Sequence, residues 1–404
     1  MNNSIIKIIL LSQILFFNNI STKNNNDNNN KIKRITLKSN NDNNYYINIY
    51  SYEIKIPLIF STYMKKSLIA SSYCRMCKGL KYEPSKLSEQ IVINSSQLLI
   101  QHNFTGNEYR EKFYLNDKFN DDFSLNLMYI SFKNVTYLNI IDINGYMSLT
   151  FTNYNLSIFN NNNNNNKIFC LNYNQNEDKF YLDLNDIDNN EIKIKENLIY
   201  YPITYTSDKS LWYLSSNKVI INNKDNNITI DMYFKIILDM GTNVLYIPKK
   251  FFFENYYNFF PLKSNCQIQT NGIFLCECEK ENIFPKILFV LKDNKILKIN
   301  LNDFIEYNSY IGDKCYMYIK INYENEYFIV GNNFFKKYYT IFDIGNNLLG
   351  LYEKNEEKKL LYVILFVGTI TIFLIIIIFF IVYKKFFKNK NKFRQEEFNR
   401  LINA

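Results

Sequence analysis

Glycine and proline are scarce in this chain, which has 10 glycines and 6 prolines among 404 residues. A fold with many turns ordinarily draws on both residue types, so asparagine must supply many of the turns. Asparagine tolerates the left-handed backbone conformation and hydrogen-bonds to its own main chain, so this exchange costs little. Long amphipathic helical patterns are also absent, which argues against a helical fold.

Histidine occurs only once, as His102. Cys74 and Cys77 form a Cys-x-x-Cys pair, which could indicate redox chemistry or a zinc site. No second pair and no nearby histidine accompany it, so we predict a structural disulfide, no metal and no other cofactor. The chain has seven cysteines, consistent with a secreted disulfide framework plus one free or intermolecular thiol.

The formal net charge of +9 does not indicate a nucleic-acid-binding protein. Basic residues are spread along the chain and mixed with acidic ones, and no recognition motif accompanies them. The one dense basic run extends from Lys384 to Arg394 and follows an apolar segment. We therefore predict that nucleic acid is not a partner.

Both ends of the chain carry signals for the secretory pathway and the membrane. Residues 1–20 hold Lys7 and then roughly ten mostly apolar residues, which is typical of a signal peptide. Residues 360–383 carry no charge and exceed the ~20 residues that span a bilayer core. A buried core helix is the alternative, but this run shows no polar face.

Lysines follow the apolar segment at once, and cations beyond a span tend to stay cytoplasmic. We therefore predict a single-pass type I membrane protein of the secretory pathway (ER, endomembrane system or cell surface). Its ectodomain is lumenal or extracellular, and residues 384–404 form a cytoplasmic tail.

Short β-branched and aromatic runs separated by asparagine and aspartate fill the region between the two ends. This pattern predicts an all-β fold, with residues 21–44 as an Asn-rich disordered segment and Pro248–Asn258 as a short helix. The clearest predicted strands are Tyr45–Tyr50, Glu53–Phe60, Glu89–Ile93, Tyr137–Ile143, Lys179–Leu184, Lys218–Ile221, Ile228–Asp239 and Ile287–Leu291.

Two segments carry a family resemblance. An apolar strand runs into Asp239-Met240-Gly241-Thr242, and a second apolar strand then ends at Pro248. Phe328–Tyr352 resembles the C-terminal signature of the pepsin-type aspartic proteases along its whole length. The likeness extends over roughly residues 45–352 and looks closest to the plasmepsins, including their membrane-anchored type.

The resemblance implies a two-lobed pepsin-like fold plus one C-terminal transmembrane helix. Residues 45–200 would form the N-terminal lobe and residues 201–353 the C-terminal lobe, with residues 360–383 in the membrane. A polypeptide substrate or ligand would lie in the cleft between the lobes.

The resemblance also assigns roles to residues of the cleft floor. Asp239 is the second catalytic carboxylate. Gly241 lets backbone amides close on it, and Thr242 bonds across to the other lobe. Gly331 and Gly145 belong to the apolar-apolar-glycine loops that support the two catalytic positions, although Asn144 interrupts the apolar pattern before Gly145.

Cysteine positions fit the same family. Cys74 and Cys77 follow the first active-site strand, as a cysteine pair does in many members. Cys315 is placed to pair with either Cys276 or Cys278, and both alternatives stay open.

The first catalytic carboxylate of the family has no counterpart in this sequence. Without a gap, Ser61 falls on the aspartate of the family's Phe-Asp-Thr-Gly-Ser motif, Thr62 on the threonine and Tyr63 on the glycine. No aspartate occurs between Asp42 and Asp117, so a shifted register does not supply one. The family mechanism needs two carboxylates that share one proton and one water. We therefore expect catalysis to be severely weakened.

His102 occupies the place of the family's flap tyrosine. A nucleophile system of Ser61, His102 and Asp239 would be an alternative chemistry. Flap and floor in this family lie about a substrate's thickness apart, beyond the ~2.6–3.2 Å that proton transfer requires. We therefore expect His102 to be a flap or loop surface residue.

Three hypotheses remain for the function. The leading hypothesis is a membrane-anchored, catalytically impaired aspartic protease homologue that binds a peptide or protein. The second is an active aspartic-type endopeptidase in which Asp239 works with a non-standard partner. The third is a structural or adhesive surface protein that inherited the fold. An Asp239→Ala variant distinguishes the first two, because only the enzyme would lose function.

Overall fold

The structure is a computed structural model, in which the chain divides into two compact units, Met1–Tyr352 and Glu353–Ala404. The structure describes residues 33–39, 44–51, 54–63, 67–74, 81–84, 86, 88–99, 102–115, 122–130, 145–148, 168–184, 198–205, 212–223, 227–260, 265–278, 284–291, 294–307, 314–323, 325–354, 368–385, 387, 391 and 394. The predicted signal peptide and the strand predicted at Tyr137–Ile143 lie outside these residues.

The first unit is built mainly of β-strands, so the all-β prediction is confirmed. The described strands are β1 (Lys33–Ser39), β2 (Tyr45–Ser51), β3 (Ile54–Ser61), β4 (Ser67–Ala70), β5 (Glu89–Leu99), β6 (His102–Tyr114), β7 (Asp122–Ile130), β8 (Gly145–Ser148), β9 (Ile168–Asn174), β10 (Lys179–Leu184), β11 (Ile199–Pro202), β12 (Thr204–Tyr205), β13 (Trp212–Asn222), β14 (Asn227–Ile230), β15 (Phe234–Leu238), β16 (Leu245–Pro248), β17 (Gln267–Ile268), β18 (Phe274–Glu277), β19 (Lys286–Leu291), β20 (Ile296–Asn300), β21 (Ile305–Tyr307), β22 (Lys314–Met317), β23 (Ile319–Asn322), β24 (Tyr327–Val330), β25 (Tyr338–Asp343) and β26 (Leu348–Glu353). The described helices of this unit are α1 (Lys249–Glu254), α2 (Tyr256–Phe259) and α3 (Asn333–Lys337), with a 3-10 turn at Leu301–Phe304.

The described strands form three sheets. A 13-stranded sheet has the order β11-β26-β25-β9-β10-β1-β2-β3-β8-β4-β7-β6-β5. A nine-stranded sheet has the path β20-β19-β13-β15-β24-β16-β23, with β12 and β14 also paired to β13. A four-stranded sheet has the order β17-β18-β22-β21.

One strand arrangement occurs twice, once in each of the two larger sheets. In the first, β3 is parallel to β8, β8 is antiparallel to β4, and β4 is parallel to β7. In the second, β15 is parallel to β24, β24 is antiparallel to β16, and β16 is parallel to β23. The two copies allow a residue in one half of the unit to be matched with a counterpart in the other half.

Most strands that the sequence predicts and the structure describes are present, but the run Ile228–Asp239 is not one strand. It is divided into β14 and β15 beside the same partner, β13. Val219 pairs with Ile230, and Ser216 pairs with Phe234. The two pairs are therefore three residues apart on β13 but four residues apart on the segment opposite. One extra residue is therefore accommodated between the two strands, as in a β-bulge.

The prediction of disorder over residues 21–44 is wrong for its described part, because Lys33–Ser39 forms β1. This strand pairs with β10 from Lys33↔Leu184 to Leu37↔Phe180, and its end pairs with β2. Leu37 is fully buried. The strand was missed because only Ile35 and Leu37 are apolar between Lys33 and Ser39, and its stability comes from partners far along the chain.

Aromatic side chains fill much of the core in the C-terminal half. Phe234, Phe251 and Phe328 contact one another edge to face, with ring centroids 4.9–5.2 Å apart. Such edge-to-face pairs add stability beyond the area that they bury. The segment predicted as one short helix, Pro248–Asn258, forms two short helices, α1 and α2, in which Phe251, Phe252 and Phe259 are buried.

The second unit contains one long helix, α4 (Gly368–Lys385). It is the one helix among the described residues that is long and apolar enough to cross a membrane, with a mean hydropathy of 2.1 and none of its span buried. The predicted segment began at residue 360, and residues 355–367 lie outside the described part. The helix extends to Lys385, beyond the predicted end at Tyr383.

An ion pair anchors β1 to the sheet. Arg34 donates from Nε to Asp183 Oδ1 at 2.7 Å and from Nη2 to Asp183 Oδ2 at 2.9 Å. The Asp183 side chain is fully buried, whereas Arg34 is partly exposed. Removal of Arg34 would therefore leave a buried carboxylate without these two donors.

We expect Arg34→Met to lower the free energy of unfolding by about 1–3 kcal/mol, because a buried acceptor left unsatisfied costs about that much. Urea unfolding of the full-length chain in detergent measures this change. Lys38→Met, on an exposed residue of the same strand, is the control. Equal stability of the two variants would contradict the anchoring role.

Candidate functional site

Two strand ends meet at the centre of the first unit and form the candidate site. Strand β3 ends at Ser61, and β15 ends at Leu238, immediately before Asp239. Ser61 is 0% exposed and Asp239 is 3% exposed. The duplicated strand arrangement therefore brings two polar side chains, from distant parts of the sequence, into one buried place.

Three hydrogen bonds converge on one oxygen of Asp239. Ser61 Oγ donates to Asp239 Oδ1 at 2.9 Å, Gly241 N donates at 2.9 Å, and Thr62 N donates at 3.2 Å. Two of these donors belong to the first half of the unit and one to the second. The carboxyl group of Asp239 is thus held by both halves at once.

Ser61 occupies the position in the first half that Asp239 occupies in the second. Tyr63 N donates to Ser61 Oγ at 3.2 Å, just as Gly241 N donates to Asp239 Oδ1 two residues on. The Ser61 hydroxyl therefore receives the backbone amide that a carboxylate oxygen receives on the other side.

The loop after Ser61 also bonds across to the second half. Thr62 Oγ1 donates to Leu238 O at 2.7 Å and accepts from Met240 N at 3.2 Å. Met240 follows Asp239 as Thr62 follows Ser61, but its thioether has no hydroxyl to return such bonds. Thr242, expected to bond across, instead accepts within its own loop from Val244 N at 3.1 Å. Of the two corresponding residues Thr62 and Met240, Thr62 is thus the one whose side chain bonds across to the other half.

The only tryptophan of the chain supports the same loop. Trp212 Nε1 donates to Thr62 O at 2.9 Å, and the ring is 1% exposed. Sequence reasoning did not assign Trp212 a role. A single tryptophan in the segment that links the two lobes was the available signal.

Gly241 permits the close approach of the two halves. A Cβ atom at this position would lie 2.9 Å from Ser61 Cβ and 3.2 Å from Asp239 Oδ1. Gly331 is similarly enclosed, since a Cβ there would lie 2.6 Å from Thr242 O. Both residues lie in the loops around Asp239, where the sequence predicted them.

The prediction that Gly145 is the first-half counterpart of Gly331 is wrong by three residues. Register pairs Leu238 with Val330 and Phe60 with Met147, so Ser148 is the counterpart of Gly331. Gly145 instead lies where β8 passes β4, and a Cβ there would lie 2.0 Å from Leu68 O. Position 148 could not be identified from a glycine in the sequence, because a serine occupies it.

Burial raises the pKa of Asp239 above its ordinary range, and hydrogen bonds from Gly241, Ser61 and Thr62 partly offset this rise. Tyr246 lies close enough to Asp239 to interact with its charge, and burial raises the pKa of its phenol to about 12. The pKa of Tyr146 is also raised, first by burial and then by the charge of Asp239. Both phenols are therefore neutral at physiological pH.

Apolar and aromatic side chains from both halves pack against one another near the candidate site, and we call this set the floor cluster. Its buried members are Tyr63, Leu68, Cys74, Met128, Tyr213, Ile237 and Ile329, with Tyr146, Tyr246 and Tyr327 partly buried against them. Tyr63 is only 7% exposed. Two members of this cluster, Tyr146 and Tyr246, lie close enough to Asp239 to interact with its charge. Among the described residues, no second carboxylate is one of the groups that shift the pKa of Asp239.

His102 lies at the start of β6, where its backbone pairs with Leu99 at the end of the β5–β6 hairpin. Ile100 and Gln101, which separate these two residues in the sequence, lie outside the described part. The predicted flap position is thus a hairpin end, and the assignment of His102 as a flap residue stays a prediction.

Disulfides connect the β-strands near the four-stranded sheet. Cys278 is bonded to Cys315, one of the two alternatives for Cys315, and Cys266 is bonded to Cys276. The second bridge was not predicted. Cys74 is also in a disulfide, and its predicted partner Cys77 lies outside the described residues.

Comparison with known proteins identifies one family. The family profile described as eukaryotic aspartyl protease matches residues 128–354, which is more than half of the 404-residue chain. A pregnancy-associated glycoprotein of Equus caballus is 27% identical over 144 residues, or 35% of this chain and 35% of that protein. The match thus spans about a third of this relative's length. The matched family region contains Asp239 and Gly331 but not Ser61.

We expect Thr62→Val to lower the free energy of unfolding by about 1–3 kcal/mol, because it removes a hydroxyl from a buried pair of crossing bonds without changing shape. Urea unfolding followed by Trp212 fluorescence measures the change beside this loop. Thr204→Val, at an exposed threonine, should change stability by less than about 0.5 kcal/mol. A Thr62→Val effect as small as that of the control would contradict the bracing role.

We expect the stability of Asp239→Asn relative to wild type to rise with pH. The folded-state pKa of Asp239 is the higher one, so protonation stabilises the folded protein fully below the ordinary value of about 4. This stability is lost as pH rises through the folded-state pKa, whereas asparagine stays neutral. Urea unfolding from acidic to neutral pH tests this, with the exposed Asp231→Asn as control. A pH-independent difference would contradict it.

Proposed function

Because the chain belongs to the eukaryotic aspartyl protease family, we propose that it is a membrane-anchored homologue that binds polypeptide and has lost most of the family's catalytic power. Members of this family bind peptide substrates in a cleft between two lobes. The plasmepsin-like, membrane-anchored type is the form that the C-terminal motif and the apolar helix favour.

The hydrogen bond from Ser61 to Asp239 is the observation that carries this proposal. Aspartic protease chemistry needs two carboxylates close enough to share one proton, so that one acts as base while the other protonates the carbonyl oxygen. A serine hydroxyl can donate to Asp239, as it does here at 2.9 Å. The serine hydroxyl cannot take a proton from water near neutral pH. Asp239 therefore lacks the second carboxylate that the reaction requires.

Other replacements around the floor point the same way. Tyr63 stands where the family motif has glycine, and its ring is buried in the floor cluster. Met240 stands at the counterpart position of Thr62, and Ser148 stands at the counterpart position of Gly331. These changes crowd the floor with side chains, while the crossing bonds of Thr62 keep the two halves joined.

Attachment to a membrane rests on α4 and the cations at its end. Lys384 and Lys385 are the last two residues of the helix. Cations at the end of a membrane span tend to remain on the cytoplasmic side. With a cleaved signal peptide over residues 1–20, the ectodomain would lie in a lumen or outside the cell. The disulfides Cys266–Cys276 and Cys278–Cys315 suit such an oxidising compartment.

We expect the full-length chain in detergent micelles to bind members of a diverse peptide library and to cleave none of them faster than an Asp239→Ala variant does. Each lost acid–base group costs about 10²–10⁴ in rate. Mass spectrometry at acidic and neutral pH measures cleavage. Photo-crosslinking peptides report binding, and their attachment to floor-cluster residues marks the cleft.

Ser61→Asp is the matched variant, because it supplies a second carboxylate at the counterpart position. Cleavage gained by Ser61→Asp and lost again with Asp239→Ala would show that the missing carboxylate limits the reaction. Efficient cleavage by wild type that Asp239→Ala abolishes would overturn the proposal in favour of an active endopeptidase. A chain that neither cleaves nor crosslinks any peptide would overturn the binding role.

A further inference from the structure

One face of β15 leads from the floor to a half-buried lysine. Successive side chains of a strand alternate between faces, so Lys235, Ile237 and Asp239 project to the same side. Ile237 belongs to the floor cluster. Lys235 lies four residues before Asp239, or about 13 Å along the strand.

Two tyrosine rings flank the ammonium group of Lys235. Its Nζ lies 4.9 Å from the ring centroid of Tyr213 and 5.2 Å from that of Tyr327. Tyr327 is the direct neighbour of Lys235 on β24. Cations are attracted to aromatic faces at these distances. In the described part of the chain, no carboxylate forms an ion pair with Lys235.

Three side-chain hydroxyl groups also lie close together beside Lys235. Ser215 is opposite Lys235 on β13, and its Oγ lies 3.2 Å from Tyr233 Oη and 3.3 Å from Thr204 Oγ1. Tyr233 also hydrogen-bonds with Tyr213. Tyr233 and Thr204 are exposed, so a ligand can reach these hydroxyls from solvent. A lysine with hydroxyl donors beside it is suited to a carboxylate.

The residues that flank Lys235 belong to the floor cluster. Tyr213 and Tyr327, which flank Lys235, pack in the floor cluster together with Tyr63 and Tyr146 of the other half. A polypeptide that crosses the floor cluster would therefore pass beside the lysine.

We infer that Lys235, with Tyr213, Tyr327 and Ser215 around it, is a subsite for a carboxylate of the polypeptide that binds in the cleft. The preferred ligand is thus acidic, with either a Glu or Asp side chain or a C-terminal carboxylate at this subsite. The inference rests on the proposed function, because it names the chemistry of the polypeptide that the cleft binds.

The test compares fluorescein-labelled peptides of one extended, otherwise uncharged sequence. One set carries a single glutamate at each position in turn with an amidated C-terminus, a second carries glutamine instead, and a third carries a free C-terminal carboxylate. Fluorescence anisotropy with the full-length chain in detergent micelles measures each affinity. We expect at least one glutamate or free-carboxylate peptide to bind about tenfold more tightly than its neutral match.

Variants assign the preference to the lysine. Lys235→Met should abolish the preference for the acidic peptide and leave the affinity for the neutral peptide nearly unchanged. Lys235→Arg should retain most of the preference for the acidic peptide. Lys218→Met is the matched control, because Lys218 lies on the neighbouring β13 and is paired with Asp231. It should change neither affinity.

The outcomes separate this inference from the proposed function. Equal affinity of wild type for acidic and neutral peptides would overturn the inference and leave peptide binding in place. A preference that survives in Lys235→Met would also overturn it. Failure of every peptide to bind would overturn both the inference and the proposed function. The free-carboxylate and glutamate sets show which source of carboxylate the subsite accepts.

Discussion

The hydrogen bond from Ser61 to Asp239 joins residues that are 178 positions apart, and the arrangement of the floor depends on it. A buried carboxyl group is costly unless donors surround it. Here Ser61, Thr62 and Gly241 supply those donors. The same contact fixes how closely the two strand ends approach, because a side chain at Gly241 would strike Ser61. The Ser61 hydroxyl thus satisfies one oxygen of the buried Asp239 carboxyl group. Under the proposed function, the same hydroxyl stands where a second carboxylate would be needed for catalysis.

The two halves of the unit carry different residues at corresponding positions around this bond. The second half keeps Asp239, Gly241 and Gly331, whereas the first half has Ser61, Tyr63 and Ser148 at the corresponding positions. The bracing bonds run the opposite way, since Thr62 in the first half makes the crossing bonds that Met240 in the second half cannot. The acidic side chain and the two glycines thus lie in the second half, whereas the threonine that bonds across lies in the first half.

Local patterns in the sequence predicted the second half well. Strand β15, the Asp239 turn and the Phe328–Tyr352 segment are contiguous, so residue order alone indicates their shape. Long-range pairing limited the rest. The register that makes Ser148 the counterpart of Gly331 is set by β3 and β8, which are distant in sequence, and β1 is stabilised by Asp183 on β10. The bulge before β15 leaves no local signature, and the lone tryptophan of the linking segment does not by itself indicate that it bonds to Thr62.

The protonation of Asp239 tests the central claim most directly, and infrared difference spectroscopy of wild type against Asp239→Asn measures it through the carboxyl stretching band. The account predicts one carboxyl that titrates in a single step, with a pKa above the ordinary value for aspartate. Because the Ser61 hydroxyl lowers this pKa, Ser61→Ala should raise it further and shift the band. Two coupled titration steps at the floor, or a band that Ser61→Ala leaves unchanged, would contradict the account.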